Sequence, residues 1–370
     1  YSTWAFYSTN TGAWEDVANW EVYNVGTGLF EPAPFAPDGY NSGPITIRNG
    51  HTIIINNSIP ASADEMIIEA GAQVFVGQGG LTILDGYDLD LSVQGLLDLS
   101  ASTLYNEGNI DVQGTFQWAA NGHLAGPGGL TMLDGSSFLN ATDGFLFLES
   151  NFLSQTIITR PTLQLSIETG AEFMNQNELN LINGMYIGSS TPTGGVFWNV
   201  GKLNVNSPST ICTITSDVHF INEGTLHVQD GVLALYESAG EYGGNLIVDA
   251  AGSVEGSAVV AFTGDTVLVN GAINLPFLSM SGASVQRLGG TGSINGLLMN
   301  QSSGVTLFGN ATILQTLGLQ NGIIATGPYR VVLGSGSTVQ NASQTSYVNG
   351  NVERFFSSPG YLEYPVGDAS

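Results

Sequence analysis

A short unit of asparagine, turn and apolar-x-apolar recurs along the chain, and it constrains the fold more than any other feature. Asn106-Glu107-Gly108-Asn109-Ile110-Asp111-Val112-Gln113-Gly114 returns as Asn222-Glu223-Gly224-Thr225-Leu226-His227-Val228-Gln229-Asp230-Gly231. Looser forms start at Asn175, Asn199 and Asn270. Asn175, Asn199 and Asn222 lie 24 and 23 positions apart. The hexamers Leu81-Thr82-Ile83-Leu84-Asp85-Gly86 and Leu130-Thr131-Met132-Leu133-Asp134-Gly135 are 49 apart, close to two such periods. No long stretch places apolar residues at helical spacing. A period of this size without helices predicts a β-solenoid, in which one coil holds two or three short strands.

The physical reason is burial. One coil cannot bury its apolar residues alone, whereas stacked coils bury them in a continuous column. In apolar-x-apolar the outer residues then point inward and the middle one faces solvent. Gly and Asn supply the positive-φ corners, which accounts for 50 Gly in 370 residues. We expect an all-β, right-handed parallel β-helix of roughly 13 coils, about 60 Å long at ~4.8 Å per coil. The competing architecture is an antiparallel β-sandwich, which also has short strands and frequent turns. The near-constant spacing favours the solenoid.

Composition excludes other classes. The chain carries 31 Asp+Glu against 6 Lys+Arg, a formal charge of −25, yet is 42% hydrophobic and only 10% charged. A disordered acidic tail lacks such apolar content. Six cations cannot form a nucleic-acid footprint. No apolar run reaches the ~18 residues of a membrane span. Cys212 is the only cysteine, so no internal disulfide can form.

Both ends differ from the middle. Residues 1–43 hold Trp4, Trp14 and Trp20 with Pro32, Pro34 and Pro37, which reads as a cap over the unpaired edge of the first coil. The solenoid is expected over 44–346. From Tyr347 the pattern breaks, and 347–370 reads as the start of a following β element cut short at Ser370. The opening Tyr1-Ser2-Thr3-Trp4 has no signal-peptide pattern and suits a processed or excised chain.

The end motifs carry a resemblance. Gly12-Ala13-Trp14, Asn19-Trp20, Pro37-Asp38 and Ile45-Thr46-Ile47-Arg48-Asn49-Gly50-His51-Thr52-Ile53 resemble the opening of large surface proteins of Bacteroidetes. Tyr347-Val348-Asn349-Gly350-Asn351-Val352-Glu353-Arg354 and Tyr364-Pro365-Val366-Gly367-Asp368 resemble the element that follows the solenoid in those proteins. The likeness covers these two end segments, and the coils between are similar in style only. It implies export by the type IX system and an extracellular or cell-surface location. Adhesive or structural roles follow, with secretion components or further copies of the chain as partners.

Site residues are few. A lyase of β-helix type needs an Arg or Lys base, and Arg48, Arg160, Lys202, Arg287, Arg330 and Arg354 are scattered. A hydrolase needs converging carboxylates, and no Asp/Glu column appears at the 23–24 spacing. We therefore expect no catalytic residues. His51, His123, His219 and His227 lack metal-ligand spacing. Asp85, Asp88 and Asp90 offer oxygen ligands for a structural Ca²⁺, although solvated polar positions also explain them. No other cofactor is implied. Asn106, Asn175, Asn199, Asn222 and Asn270 begin similar turns and are expected to stack and bond the next coil. Trp14, Trp20, Tyr23 and Tyr40 could stack on sugars, but the packing of a cap is the simpler reading. Thr213 and Thr215 give one Thr-x-Thr without a ladder, too little for an ice-binding face.

The expected function is a non-catalytic structural or adhesive solenoid, part of a larger surface adhesin or filament. A polysaccharide-binding solenoid is the first alternative. A polysaccharide lyase or glycoside hydrolase is the second.

Overall fold

The computed structural model describes residues 4–56, 60–86, 89–100, 102–119, 121–139, 145–160, 163–182, 184–191, 193–215, 217–235, 241–242, 245–255, 259–356 and 364–367. These are strands and tight turns, with one short 3-10 segment at Val17–Asn19 and no α-helix among the described residues. The strands stack in parallel coils, about thirteen in all, and the fold is a parallel β-solenoid. Among the described residues no helix is long and apolar enough to cross a membrane. The chain divides into two compact units. The first comprises Tyr1–Ile158, Leu163–Asn177 and Ser189–Val196; the second comprises Thr159–Thr162, Glu178–Gly188 and Phe197–Ser370.

In the first unit each coil has three faces. Ala61–Ala63, Leu81–Ile83 and Thr103–Asn106 pair in parallel on the first face. Ile45–Ile47, Met66–Ile68, Leu91–Val93 and Asn109–Val112 form the second. Thr52–Ile55, Gln73–Val76, Leu96–Leu99 and Thr115–Trp118 form the third. The longer strands His123–Met132 and Phe145–Ser154 turn a corner and serve two faces, with a register shift after Ala125.

The apolar-x-apolar rule holds at residue level. Ile47, Ile68, Val93, Val112 and Met132 form one inward column and are all buried. On the third face Ile53, Val74, Leu97 and Phe116 form another. The core then becomes aromatic: Trp118, Phe138, Phe152 and Phe173 follow, with Phe152 and Phe173 stacked at 5.0 Å. Fully burying each such side chain contributes about 1.5–3 kcal/mol.

The repeat is less regular than the asparagine spacing predicts. The column Ile47, Ile68, Val93, Val112, Met132, Ser154, Asn175 advances in steps of 21, 25, 19, 20, 22 and 21. The ladder fixes the strands, while the corners absorb the differences. Chain length between equivalent positions is therefore a property of corners.

The first unit begins with an antiparallel layer. Ala5–Ser8 pairs antiparallel with Trp20–Asn24, which pairs antiparallel with Leu29–Pro32. Ala5–Ser8 also pairs in parallel with Ile45–Ile47, and Gly12–Ala13 with Thr52–Ile55. Trp14 and Trp20 are buried edge to face at 5.2 Å. The Trp14 indole donates to the Pro37 carbonyl at 2.9 Å, and the Trp20 indole donates to the Trp14 carbonyl at 2.8 Å.

The second unit repeats the scheme. Lys202–Ile214, Thr225–Leu235 and Asn245–Glu255 each run over two faces in parallel register. Leu203, Leu226, Leu246, Val267, Leu288 and Leu307 form an inward column with steps of 23, 20, 21, 21 and 19. Parallel pairing continues through Ile324–Leu333 and Val348–Arg354 to Val366–Gly367.

Candidate functional site

The asparagines occupy more than one column. Asn106 lies in register with Ile83 on the first face, whereas Asn175 lies in register with Ser154 on the second. The two stretches of sequence look alike because each begins a tight corner, and the solenoid has more than one corner. Asn106 is fully buried; its Nδ2 donates to the Gly129 carbonyl one coil on at 3.0 Å, and its Oδ1 accepts from the Gly108 N–H at 3.2 Å. In the second unit Asn199 Nδ2 donates to Asn222 Oδ1 at 2.6 Å. In the following coils the Asn222 register position is held by Tyr242, Phe262, Met280 and Met299. Asn270 is half-buried, and its Oδ1 accepts from the N–H and hydroxyl of Thr291.

The acidic corner is also structural in geometry. Asp88 lies outside the described residues. Asp85 is exposed, but Asp90 is only 1% exposed, not on an outward face as the alternation suggests. Its two oxygens accept from the Gly86 N–H at 2.8 Å and the Asn109 N–H at 2.7 Å. The carboxylate thus joins two consecutive coils. Burial, then the charges of Asp90 and Asp85, push the neighbouring Asp64 carboxyl above its ordinary value. Among the described residues no three His, Cys, Asp or Glu side chains gather as a metal-binding group.

Two further buried carboxylates escaped the sequence reading. Asp98 accepts from Ser100 at 2.6 Å and Gln117 at 2.7 Å, and burial pushes its carboxyl up against the opposing Ser100 bond. Glu168 is ringed by hydroxyls: Ser166 at 2.6 Å, Ser190 at 2.9 Å and Ser189 at 3.0 Å, with the Ser190 N–H at 3.2 Å. Burial pushes Glu168 up, but these bonds outweigh it and hold the carboxyl below its ordinary value. Cys212 is buried, and burial pushes its thiol up to about 11, so it is held as a neutral thiol.

Of the four aromatics named from sequence, Trp14 and Trp20 face the core and Tyr40 is 80% exposed. Tyr23 joins Tyr7 and Phe30 in an outward cluster. The Arg48 guanidinium lies 4.8 Å from the Tyr7 and Phe30 ring centres and pairs with Glu21 at 2.5 Å. Other cations are likewise engaged. Arg330 pairs with Glu353 at 2.6 Å, Arg287 lies over Phe308, and Arg354 donates to the Ser337 carbonyl.

One concavity crosses the outer side of the second face in the first unit. Two open recesses of about 230 and 310 Å³ share Gly129 and Thr131. Two register columns line them: Asn109, Gly129, Asn151, Glu172 and Asp111, Thr131, Leu153, Met174. The floor drops at Gly129 because an outward position there has no side chain; an added Cβ would meet nothing within 4 Å. The polar side chains of Asn109, Asp111, Thr131, Asn151 and Glu172 make no hydrogen bond to another described residue. Elsewhere such outward groups pair from coil to coil, as in Asn180 to Thr159 at 3.2 Å and Thr316 with Thr338 at 3.2 Å. The middle residues of apolar-x-apolar signal this surface in the sequence, but the uneven coil length hides which of them are neighbours. No protein-family model, curated protein or solved structure matches the chain.

Proposed function

We propose that the chain is a non-catalytic structural or adhesive scaffold displayed outside the cell. One observation carries the reading: buried polar side chains are committed to joining one coil to the next. Asp90 bonds the Asn109 N–H, Asn106 the Gly129 carbonyl, Gln286 the Phe262 and Gly264 carbonyls, and Ser346 the Gly322 carbonyl. These bonds stiffen each unit locally, and the one ionisable group among them, Asp90, is engaged with backbone. The likeness of the end motifs to Bacteroidetes surface proteins supports an exported, surface-held chain and points to the type IX system as its route. The charge of −25 supports solubility at a surface, since like-charged molecules stay apart.

Two measurements test this reading. Antibodies to the chain should label intact cells of its source without permeabilisation. Prolonged incubation of the purified chain with polysaccharides should release neither new reducing ends nor unsaturated products. Label that appears only after lysis removes the surface role, and either product removes the non-catalytic one.

A further inference from the structure

We propose that the concavity over Gly129 is a binding site for a neutral, extended polysaccharide laid across successive coils of the second face. This goes beyond the scaffold reading and does not depend on it. Three features of the groove point to this ligand.

The first is the supply of hydrogen-bonding groups. Asn109 and Asn151 offer amide donors and acceptors, Thr131 a hydroxyl, and Asp111 and Glu172 carboxylate acceptors. Sugar hydroxyls both donate and accept, so they match such a mixed set. Leu153 and Met174 add an apolar strip for the C–H faces of the rings. The second feature is spacing. The columns place equivalent groups one strand apart, ~4.8 Å, about the length of one sugar ring in an extended chain. Gly129 sits in the second of four consecutive coils, and its missing side chain leaves room for a ring to sink between the flanking Asn109 and Asn151.

The third feature is charge and backbone. Two carboxylates and no cation line the recesses, so a uronate or sulfated chain is repelled. A peptide strand gains its affinity at a sheet edge, from unpaired backbone groups. Here Asn109–Val112 is laddered on both sides, to Leu91–Val93 and to His123–Met132, so the groove offers side chains only.

The test uses the full 370-residue chain in native gels cast with hydroxyethylcellulose, galactomannan, alginate or glycol chitosan. The expected result is retardation by a neutral polymer that persists when salt is added. Gly129→Leu fills the recess without meeting a neighbour at Cβ, and should weaken that retardation about tenfold, or ~1.4 kcal/mol. The pair Asn151→Ala with Glu172→Gln should weaken it similarly, whereas Thr82→Leu on the first face should not. Thermal melting of each variant separates loss of binding from loss of fold. The proposal fails if Gly129→Leu and the paired variant, both folded, are retarded as strongly as the parent. It fails if no neutral polymer retards the chain or if alginate alone does. Retardation by glycol chitosan alone, abolished by salt, overturns it in favour of a cation-binding face.

Discussion

Two neighbouring regions of the first unit use the same residue types in opposite ways. At the corner between Thr103–Asn106 and Asn109–Val112, Asn106 and, from the coil before, Asp90 are buried and bonded to backbone. Across the adjoining groove, Asn109, Asp111, Asn151 and Glu172 face out and their side chains bond no described residue. Glycine shows the same contrast. At the corner Gly114, an added Cβ would fall inside the contact distance of the Gly95 and Gln94 carbonyl oxygens, whereas at Gly129 it would enter open space. Residue type therefore decides little here. What decides is whether the position falls on a corner, inside the coil or outside it.

Substitutions at the glycines and at the corner carboxylate separate the two regions most clearly. Gly114→Ala forces backbone of consecutive coils apart and is expected to cost about 3 kcal/mol or more, read from the midpoint of urea unfolding. A shift too small to measure would mean that the corners yield and do not hold the stack. Asp90→Ala leaves two backbone N–H groups without their acceptor, with an expected loss of about 2–3 kcal/mol; hydrogen exchange should quicken at Gly86 and Asn109 first. Unchanged exchange there would separate the carboxylate from coil joining. Gly129→Ala is expected to stay within about 0.5 kcal/mol of the parent, and a large loss would show that the groove floor bears on the core after all.

Much of the fold was legible in the sequence, for a clear reason. Alternation such as Leu91-Ser92-Val93 and Ile110-Asp111-Val112 reports burial directly, since the strand period is two. The aromatic start was legible because Trp14 and Trp20 have few alternatives to burial. Register was not legible. Asn106 and Asn175 carry the same local signal on different faces, and the unequal coil steps erase the phase. The groove was invisible for the same reason: Gly129 reads as one more turn glycine until its neighbours Asn109 and Asn151 are placed beside it. The alternation of Asp90 with Asp88 suggests a solvated face, whereas one of its two backbone partners, Asn109, lies in the next coil and shows only in the fold.

The uneven coil step also bears on how the first unit assembles. Each strand meets its partner a single coil further along the chain, at every level of the stack. Closure entropy depends on the logarithm of loop length, so the shortest and longest steps differ by only about 0.2 kcal/mol. No coil is therefore much slower to add than another, however long the array becomes. The first pairing is the difficult event, and growth after it proceeds by near-equal increments, as in other one-dimensional repeats. The aromatic run from Phe116 to Phe173 packs ring against ring across consecutive coils, which makes it a natural place for that first pairing. The stack would then lengthen from there towards the antiparallel layer, which closes last because its strands need Ile45–Ile47 and Thr52–Ile55 already in place.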